Sequence, residues 1–526
     1  MDNILSYIFL LPLLVAIGML FISEKKSIAF RSLALATTST QFFMSVLAAL
    51  RFNKTVDISS WSEAFQMVVR VDWISMKLGS LGTLNIDYFL GVDGITLPLL
   101  ILTSFILLIG VLASWEIKEK VKGYFILYLI LSSSLIGCFI ALDFFLFYLC
   151  FEFMLLPMFF LIGIWGGKRR SYASIKFFLY TLLGSLFILV VMIGLYQSVL
   201  DGESGTFSLV AMLDGNYVSN SILDPLSQKT ILGYNARSLA FIFLLIGFGI
   251  KLPMVPVHTW LPDAHVEAPT PISVILAGLL LKVGGYGLLR ILYGIFPDQA
   301  FNYAYLVAGL GVLSIIYGGL NALAQNDLKK LVAYSSVSHM GFILLGLASL
   351  TNEGFSGSLF HMISHGLISP ALFILAGVIY DRTQNREIEH FSGLASKMPI
   401  YTFFVGLIFF AGLGMPGLAG FVGELMVLIG AFKSTLPLWL SLVAVVGIAI
   451  SAAYFLWTIQ RMFFGKYFVR EKEWESSMVD LTPRERMMLI PLGIFIISLG
   501  IYPRLILEFS ENTIDYFIIH MSNFMP

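Results

Sequence analysis

Residues 247–290, GFGIKLPMVPVHTWLPDAHVEAPTPISVILAGLLLKVGGYGLLR, constrain this chain more than any other stretch. Two apolar segments each carry one lysine, Lys251 and Lys282, and a short turn rich in proline, histidine and acidic residues separates them. A lysine inside a bilayer costs roughly 2.5–3.5 kcal/mol even on lenient insertion scales. Pro253 and Pro256 follow Lys251 at once. Proline removes a backbone donor and clashes with the preceding turn, so a helix is expected to break there. Broken helices with buried charge are tolerated at membrane depth only where they face protein or a wet cavity. The stretch is therefore read as part of an ion path.

The bilayer itself follows from composition. Only 12% of the residues are charged and 58% are hydrophobic, against about 25% charged in soluble domains. The balance of 32 basic and 32 acidic residues gives no reason to expect nucleic acid. Cys138 and Cys150 lie in apolar runs and are too few for a structural zinc or iron–sulfur site, which needs about four ligands. No GxGxxG, P-loop, CxxC or nucleophile elbow is present, so the chain offers nothing to hold NADH, flavin or an electron carrier.

Runs of about 20 apolar residues predict an all-α, multi-pass membrane protein of about 14 transmembrane helices. The runs lie near 4–22, 28–50, 90–114, 123–141, 143–165, 172–198, 237–256, 271–296, 302–323, 328–350, 357–380, 399–431, 437–463 and 488–507. The first is taken as a helix and not a signal peptide, because Asp2 precedes it and no small-x-small cleavage site follows. Lysine and arginine gather on one side, among them Lys118, Lys120, Lys122, Lys168, Arg169, Arg170, Lys329, Lys330, Arg484 and Arg486. That side is predicted cytoplasmic, with both termini periplasmic. Residues 66–74 and 81–89 fit a periplasmic hairpin as well as an irregular loop. Thr482 and Glu485 form a capping box that starts the last helix.

The break at Pro253 has an echo. The run at 399–431 is interrupted by Gly412, Gly414, Pro416, Gly417 and Gly420, five helices later. An odd offset inverts orientation, and paired interrupted helices point to an inverted-repeat transporter. Few ionisable residues fall inside the runs. Glu152 needs a cation or a proton and is matched with Lys251. Buried lysines shift their proton affinity readily, so Lys251 and Lys282 are candidate carriers. Glu424 follows the second break and is expected to stand where Lys251 stands in the first half. His339, among Tyr334, Ser335, Ser336 and Ser338, is a candidate relay. His361 and His365 have i, i+4 spacing, which suits a metal or haem, but no HExxH or cysteine ligand accompanies them. His365 is favoured as a relay. Asp93 and Asp143 read as capping or interfacial residues. His258, Asp263, His265 and Glu267 are expected to cap helices or to collect protons at an entrance. A haem- or quinone-binding subunit using His361 and His365, and a non-transporting scaffold, are the rival classes.

The 247–290 stretch, together with YFLGVDGITLPLLILT, ALDFFLFYLCFEFMLLPMFFLIGIWG, DLKKLVAYSSVSHMGF, FHMISHGLISPALFILAG and AGLGMPGLAGFVGELMVL, resembles the antiporter-like subunits of respiratory complex I over residues 85–465. The resemblance implies fourteen helices with two inverted five-helix repeats, each containing one broken helix. The implied divisions are 1–122, 123–296, 302–463 and 464–526. It implies proton translocation driven by quinone reduction elsewhere in the complex, through Glu152, Lys251, Lys282, His339, His365 and Glu424. It places NADH, FMN, iron–sulfur clusters and quinone in other subunits, makes neighbouring membrane subunits the partners, and sets the chain in the cell inner membrane. Related subunits usually carry lysine at the position of Glu424, and Phe151 stands where the family often has tryptophan. A multisubunit cation/proton antiporter or membrane-bound hydrogenase of the same fold is the alternative.

Overall fold

Long apolar runs without water must satisfy their backbone internally, which the helix does. The computed structural model describes residues 3–77, 83–201 and 204–524. Its helices are α1 (Ile4–Leu20), α2 (Ser27–Arg51), α3 (Thr96–Ala113), α4 (Val121–Ile140), α5 (Phe144–Trp165) and α6 (Arg170–Ser198). Then come α7 (Ala236–Lys251), α8 (Trp260–Glu267), α9 (Thr270–Tyr293), α10 (Pro297–Leu323), α11 (Leu328–Ala348) and α12 (Asn352–Thr383). The last five are α13 (Pro399–Gly412), α14 (Ala419–Lys433), α15 (Leu438–Phe463), α16 (Pro483–Ile501) and α17 (Arg504–Ser522).

Among the described residues ten helices are long and apolar enough to cross a bilayer, or eleven if α16 and α17 are one bent span. The predicted runs all fall on helices. The run at 237–256 is helical only to Lys251, with the next helix starting at Trp260, and the run at 399–431 is divided in two at its glycine cluster. The run at 90–114 starts late, because residues up to Val92 belong to a strand. The last run stops at Ile501 and not near 507. Beyond it α17 turns by 62° and is amphipathic, burying Thr513, Ile514, Phe517 and Met521. Tyr516 and Phe517 hold Trp61 edge-on at ring separations of 5.0 and 5.4 Å.

The hairpin forms, with β1 (Gln66–Lys77) antiparallel to β2 (Thr83–Val92). Leu81 and Gly82, at the start of the expected second strand, and Asp2 lie outside the described residues. Arg70 pairs with Asp87 in the hairpin and with Asp201 in the other long loop, both at 2.7 Å. The two longer loops and α17 thus form one cap over one face. Asp93 caps α3 and ion-pairs with fully buried Arg290 of α9, while Asp143 caps α5 through Leu146 N at 2.9 Å. The expected capping box closes the start of α16 through Thr482 and Glu485.

The centre is α9, buried along its whole length, with α11 and α12 beside it. Its glycines let neighbours approach. A methyl group on Gly284 would come within 2.6 Å of Leu252 N, and one on Gly287 within 2.3 Å of the Phe248 ring. Outer helices leave apolar faces uncovered. Along α6 these are Ile175, Leu179, Leu183, Leu186, Val190 and Ile193, each about half exposed. Their three- and four-residue spacing is one helix face, and it suits lipid.

Candidate proton pathway

Both breaks are built alike. After α7 the Met254 N–H reaches back five residues to Gly249 O at 2.9 Å; after α13 the Met415 N–H reaches Phe410 O at 3.0 Å. The first break is buried over its first half, with Pro256 and Thr259 exposed. Leu252 to Val255 are buried, Val255 N–H donates to Ser314 Oγ at 3.0 Å, and the Trp260 indole donates to Ile250 O at 2.8 Å. The second is open, with Met415, Pro416 and Gly417 exposed.

Lys251 and Glu424 do not occupy equivalent places, contrary to the sequence expectation. Lys251 closes α7, three residues before the Met254 bond, and its counterpart by that bond is Gly412. Glu424 sits beyond the break, inside α14. The lysine therefore lies on the first half-helix and the carboxylate on the second.

Glu152 and Lys251 lie close enough to interact, but they do not form a direct ion pair. Lys251 is 1% exposed and its Nζ has no hydrogen-bond partner. The ammonium rests over the Phe151 ring at 4.6 Å and faces Phe177 at 5.8 Å. Cation–π contact contributes about 0.5–2 kcal/mol depending on desolvation, so the aromatic ring before the glutamate does bear on the chemistry. Glu152 is half-buried, its Oε1 is unpartnered, and Tyr148, one turn earlier, interacts with it.

Lys282 is fully buried, donates to Ala277 O at 2.6 Å and shares a hydrogen bond with His365 Nδ1 at 2.7 Å. It lies on a short α-turn between two widened, i→i+5 stretches of α9, Leu276–Leu280 and Gly287–Tyr293. Such widenings occur often at functional sites, and nothing in the sequence marks them. From His365 the polar groups continue. Its ring lies 5.5 Å from His339, and His339 Nδ1 lies 3.3 Å from Glu424 Oε1. Four of the predicted residues, Lys282, His365, His339 and Glu424, are therefore brought together across α9, α12, α11 and α14. Among the described residues no hydrogen bond joins Lys251 Nζ or Glu152 Oε1 to this series.

His361, weighed with His365 as an i, i+4 pair, instead turns toward His339, with ring centres 5.4 Å apart. Histidine spacing along one helix could not reveal partners on α11 and α14. The groups at the other end divide their roles. Asp263 pairs with Lys176 at 2.7 Å, Glu267 accepts from Arg169 N at 2.8 Å, and His265 stacks on Phe373 at 4.3 Å. His258 packs edge-on to Tyr317 at 5.2 Å. Lys329, read as a loop charge, is buried and donates to Ala268 O at 2.9 Å. It lines a cavity of about 640 Å³ on the lysine- and arginine-rich face, together with Arg169, Glu267, Asp381 and Arg484.

The chain has relatives among known proteins, and its fold recurs among solved structures. The family model described as NADH:quinone oxidoreductase/Mrp antiporter, TM matches residues 141–451. NADH-quinone oxidoreductase subunit M of Rhodobacter capsulatus is 40% identical over 98% of this chain and 97% of its own. NAD(P)H-quinone oxidoreductase chain 4 2 of Thermosynechococcus vestitus is 37% identical over 99% of this chain and 93% of its own. A chain of respiratory complex I from Thermus thermophilus superposes with a TM-score of 0.80 at 26% identity, covering 99% of this chain and 100% of that one. A chain of the Mrp complex from Dietzia sp. shares the fold at a TM-score of 0.78 and 20% identity, over 100% and 99% of the two chains. The divided helices, the buried central lysine and full-length identity of this order lead to one conclusion: this chain is a multi-pass membrane protein that belongs to the NADH:quinone oxidoreductase/Mrp antiporter family.

Proposed function

We propose that this chain is the subunit M type, proton-translocating membrane subunit of an NADH–quinone oxidoreductase, the counterpart of chain 4. Quinone reduction in other subunits, which hold the NADH, FMN, iron–sulfur and quinone sites, drives protons through it. The observation that carries the proposal is the buried series Lys282, His365, His339, Glu424, linked by a 2.7 Å hydrogen bond, ring centres 5.5 Å apart and a 3.3 Å nitrogen–oxygen contact. A packing role alone leaves unexplained why so many polar groups stand unpartnered in a core where apolar side chains cost less.

Residues 123–296 and 302–463 are assigned as inverted repeats, within a chain divided at 1–122 and 464–526 and carrying fourteen helices. The matching five-residue bonds at the two breaks support this. The lysine-rich face is assigned to the cytoplasm of the cell inner membrane, with both termini periplasmic. A proton enters there and loads Lys282. An electrostatic change at Glu152 and Lys251, delivered by a neighbouring subunit, moves Lys251 relative to Lys282. Buried charges couple strongly at low dielectric, so the load passes to His365, His339 and Glu424 and leaves on the opposite side.

His365→Ala and His339→Ala are each expected to cut NADH-driven proton uptake several-fold in membrane vesicles carrying the assembled complex. Unchanged uptake by both would overturn the assignment.

A further inference from the structure

The cluster at the end of this series offers more than a proton needs. His339 on α11, His361 on α12 and Glu424 on α14 each present one ligand atom, and the three atoms lie within 4.8 Å of one another. All three side chains are buried, at 7%, 1% and 2% exposure. Both nitrogens of His361, Nδ1 of His339 and Oε1 of Glu424 lack a hydrogen-bond partner in the protein. Buried polar atoms without partners are uncommon and call for an explanation. His361 takes no part in the proposed series, so proton transfer does not supply one for it.

Two imidazoles and a carboxylate are the donor set of open, three-ligand zinc sites, with metal–ligand distances of about 2.0–2.2 Å. At a tetrahedral ion, such distances place neighbouring ligand atoms about 3.3–3.5 Å apart. The His339 Nδ1 to Glu424 Oε1 separation of 3.3 Å already meets this. The third atom needs to close by at most about 1.5 Å, which a side-chain rotation can supply. Space is provided on both sides. Gly423 faces His361, where an added methyl group would come within 2.9 Å of Nδ1. Gly414, at φ +78°, lies against Glu424, where a methyl group would come within 2.5 Å of Oε2. The carboxylate therefore sits against the start of the exposed turn Met415–Gly417.

We propose that His339, His361 and Glu424 form a binding site for a borderline divalent transition-metal cation of the zinc type, with a fourth position open to water. A bound cation occupies the lone pairs of His339 and Glu424 and so arrests proton passage there. This second statement rests on the proton-pathway reading; the binding itself does not.

The test uses the purified assembled complex and Co²⁺ as a spectroscopic stand-in for Zn²⁺, with wild type, His361→Gln and His361→Cys. Wild type is expected to show visible d–d absorption of a low-coordinate Co²⁺ that His361→Gln lacks. His361→Cys, which restores a ligand, is expected to regain the site with an added thiolate-to-cobalt charge-transfer band. In vesicles, the free Zn²⁺ that halves proton uptake should rise at least about tenfold in His361→Gln, each variant being compared with its own metal-free rate. No wild-type minus His361→Gln difference spectrum, or no charge-transfer band in His361→Cys, overturns the site. A cobalt spectrum with zinc-insensitive uptake keeps the site and overturns the pathway reading of His339 and Glu424.

Discussion

The two broken helices solve the same backbone problem and leave opposite surroundings. At the first break Leu252 to Val255 are buried while Pro256 and Thr259 are exposed, and the charge it carries, Lys251, lies on an aromatic ring without a hydrogen bond. Around the second break the turn is exposed, and Glu424 looks back into a pocket of histidines. A half-helix that ends in a cation without a hydrogen bond is suited to respond to charge nearby, because no directional bond fixes the ammonium. An open break with a gathered polar cluster is suited to pass protons outward. Lys282 bonds within its own helix to Ala277 O and, across to α12, to His365 on the side of the second break.

That asymmetry can be broken experimentally. The largest effect is expected from Lys282→Ala, which removes the group feeding the histidines; proton uptake in vesicles should fall to background, while uptake near wild type would detach the cluster from the centre. Gly284→Ala attacks the first break by forcing a methyl group against Leu252 N. Overpacking of this kind costs about 1–3 kcal/mol, and thermal unfolding of the assembled complex should show the loss. Phe151→Leu removes the ring beneath Lys251, worth about 0.5–2 kcal/mol. Uptake should drop several-fold, and Phe151→Trp should retain it; equal loss in both would assign the effect to packing. The smallest change is expected from Arg70→Ala in the cap, where the ion pairs are largely solvent-exposed. Such pairs contribute about 0–1 kcal/mol, so the same unfolding measurement should barely move.

Much of this was legible in the sequence because chemistry at membrane depth is conspicuous. Pro253 and Pro256 marked the first break, the glycine cluster marked the second, and Lys282, His339, His365 and Glu424 stood out as ionisable groups in apolar runs. What could not be read was how separate helices turn toward one another. His361 belonged with His339 and Glu424 and not with its neighbour four residues on. The seat of Lys251 on Phe151 left no polar signal, since phenylalanine is common in every membrane helix. Lys329 looked like a loop charge because a helix start and a loop end read alike, and only packing shows that its ammonium turns inward. The amphipathic pattern of 504–522 is present in the sequence, at Thr513, Ile514, Phe517 and Met521, but it lies beyond the end of the apolar run and is too polar to register as a membrane span.

The central claim is that the open, histidine-lined half is the proton outlet. Glu424→Gln tests it most directly, because the amide keeps the size and polarity of the carboxylate but cannot carry a proton. Measured as protons translocated per NADH oxidised in vesicles, the ratio is expected to fall below that of wild type with the complex fully assembled. A ratio equal to wild type would contradict the account.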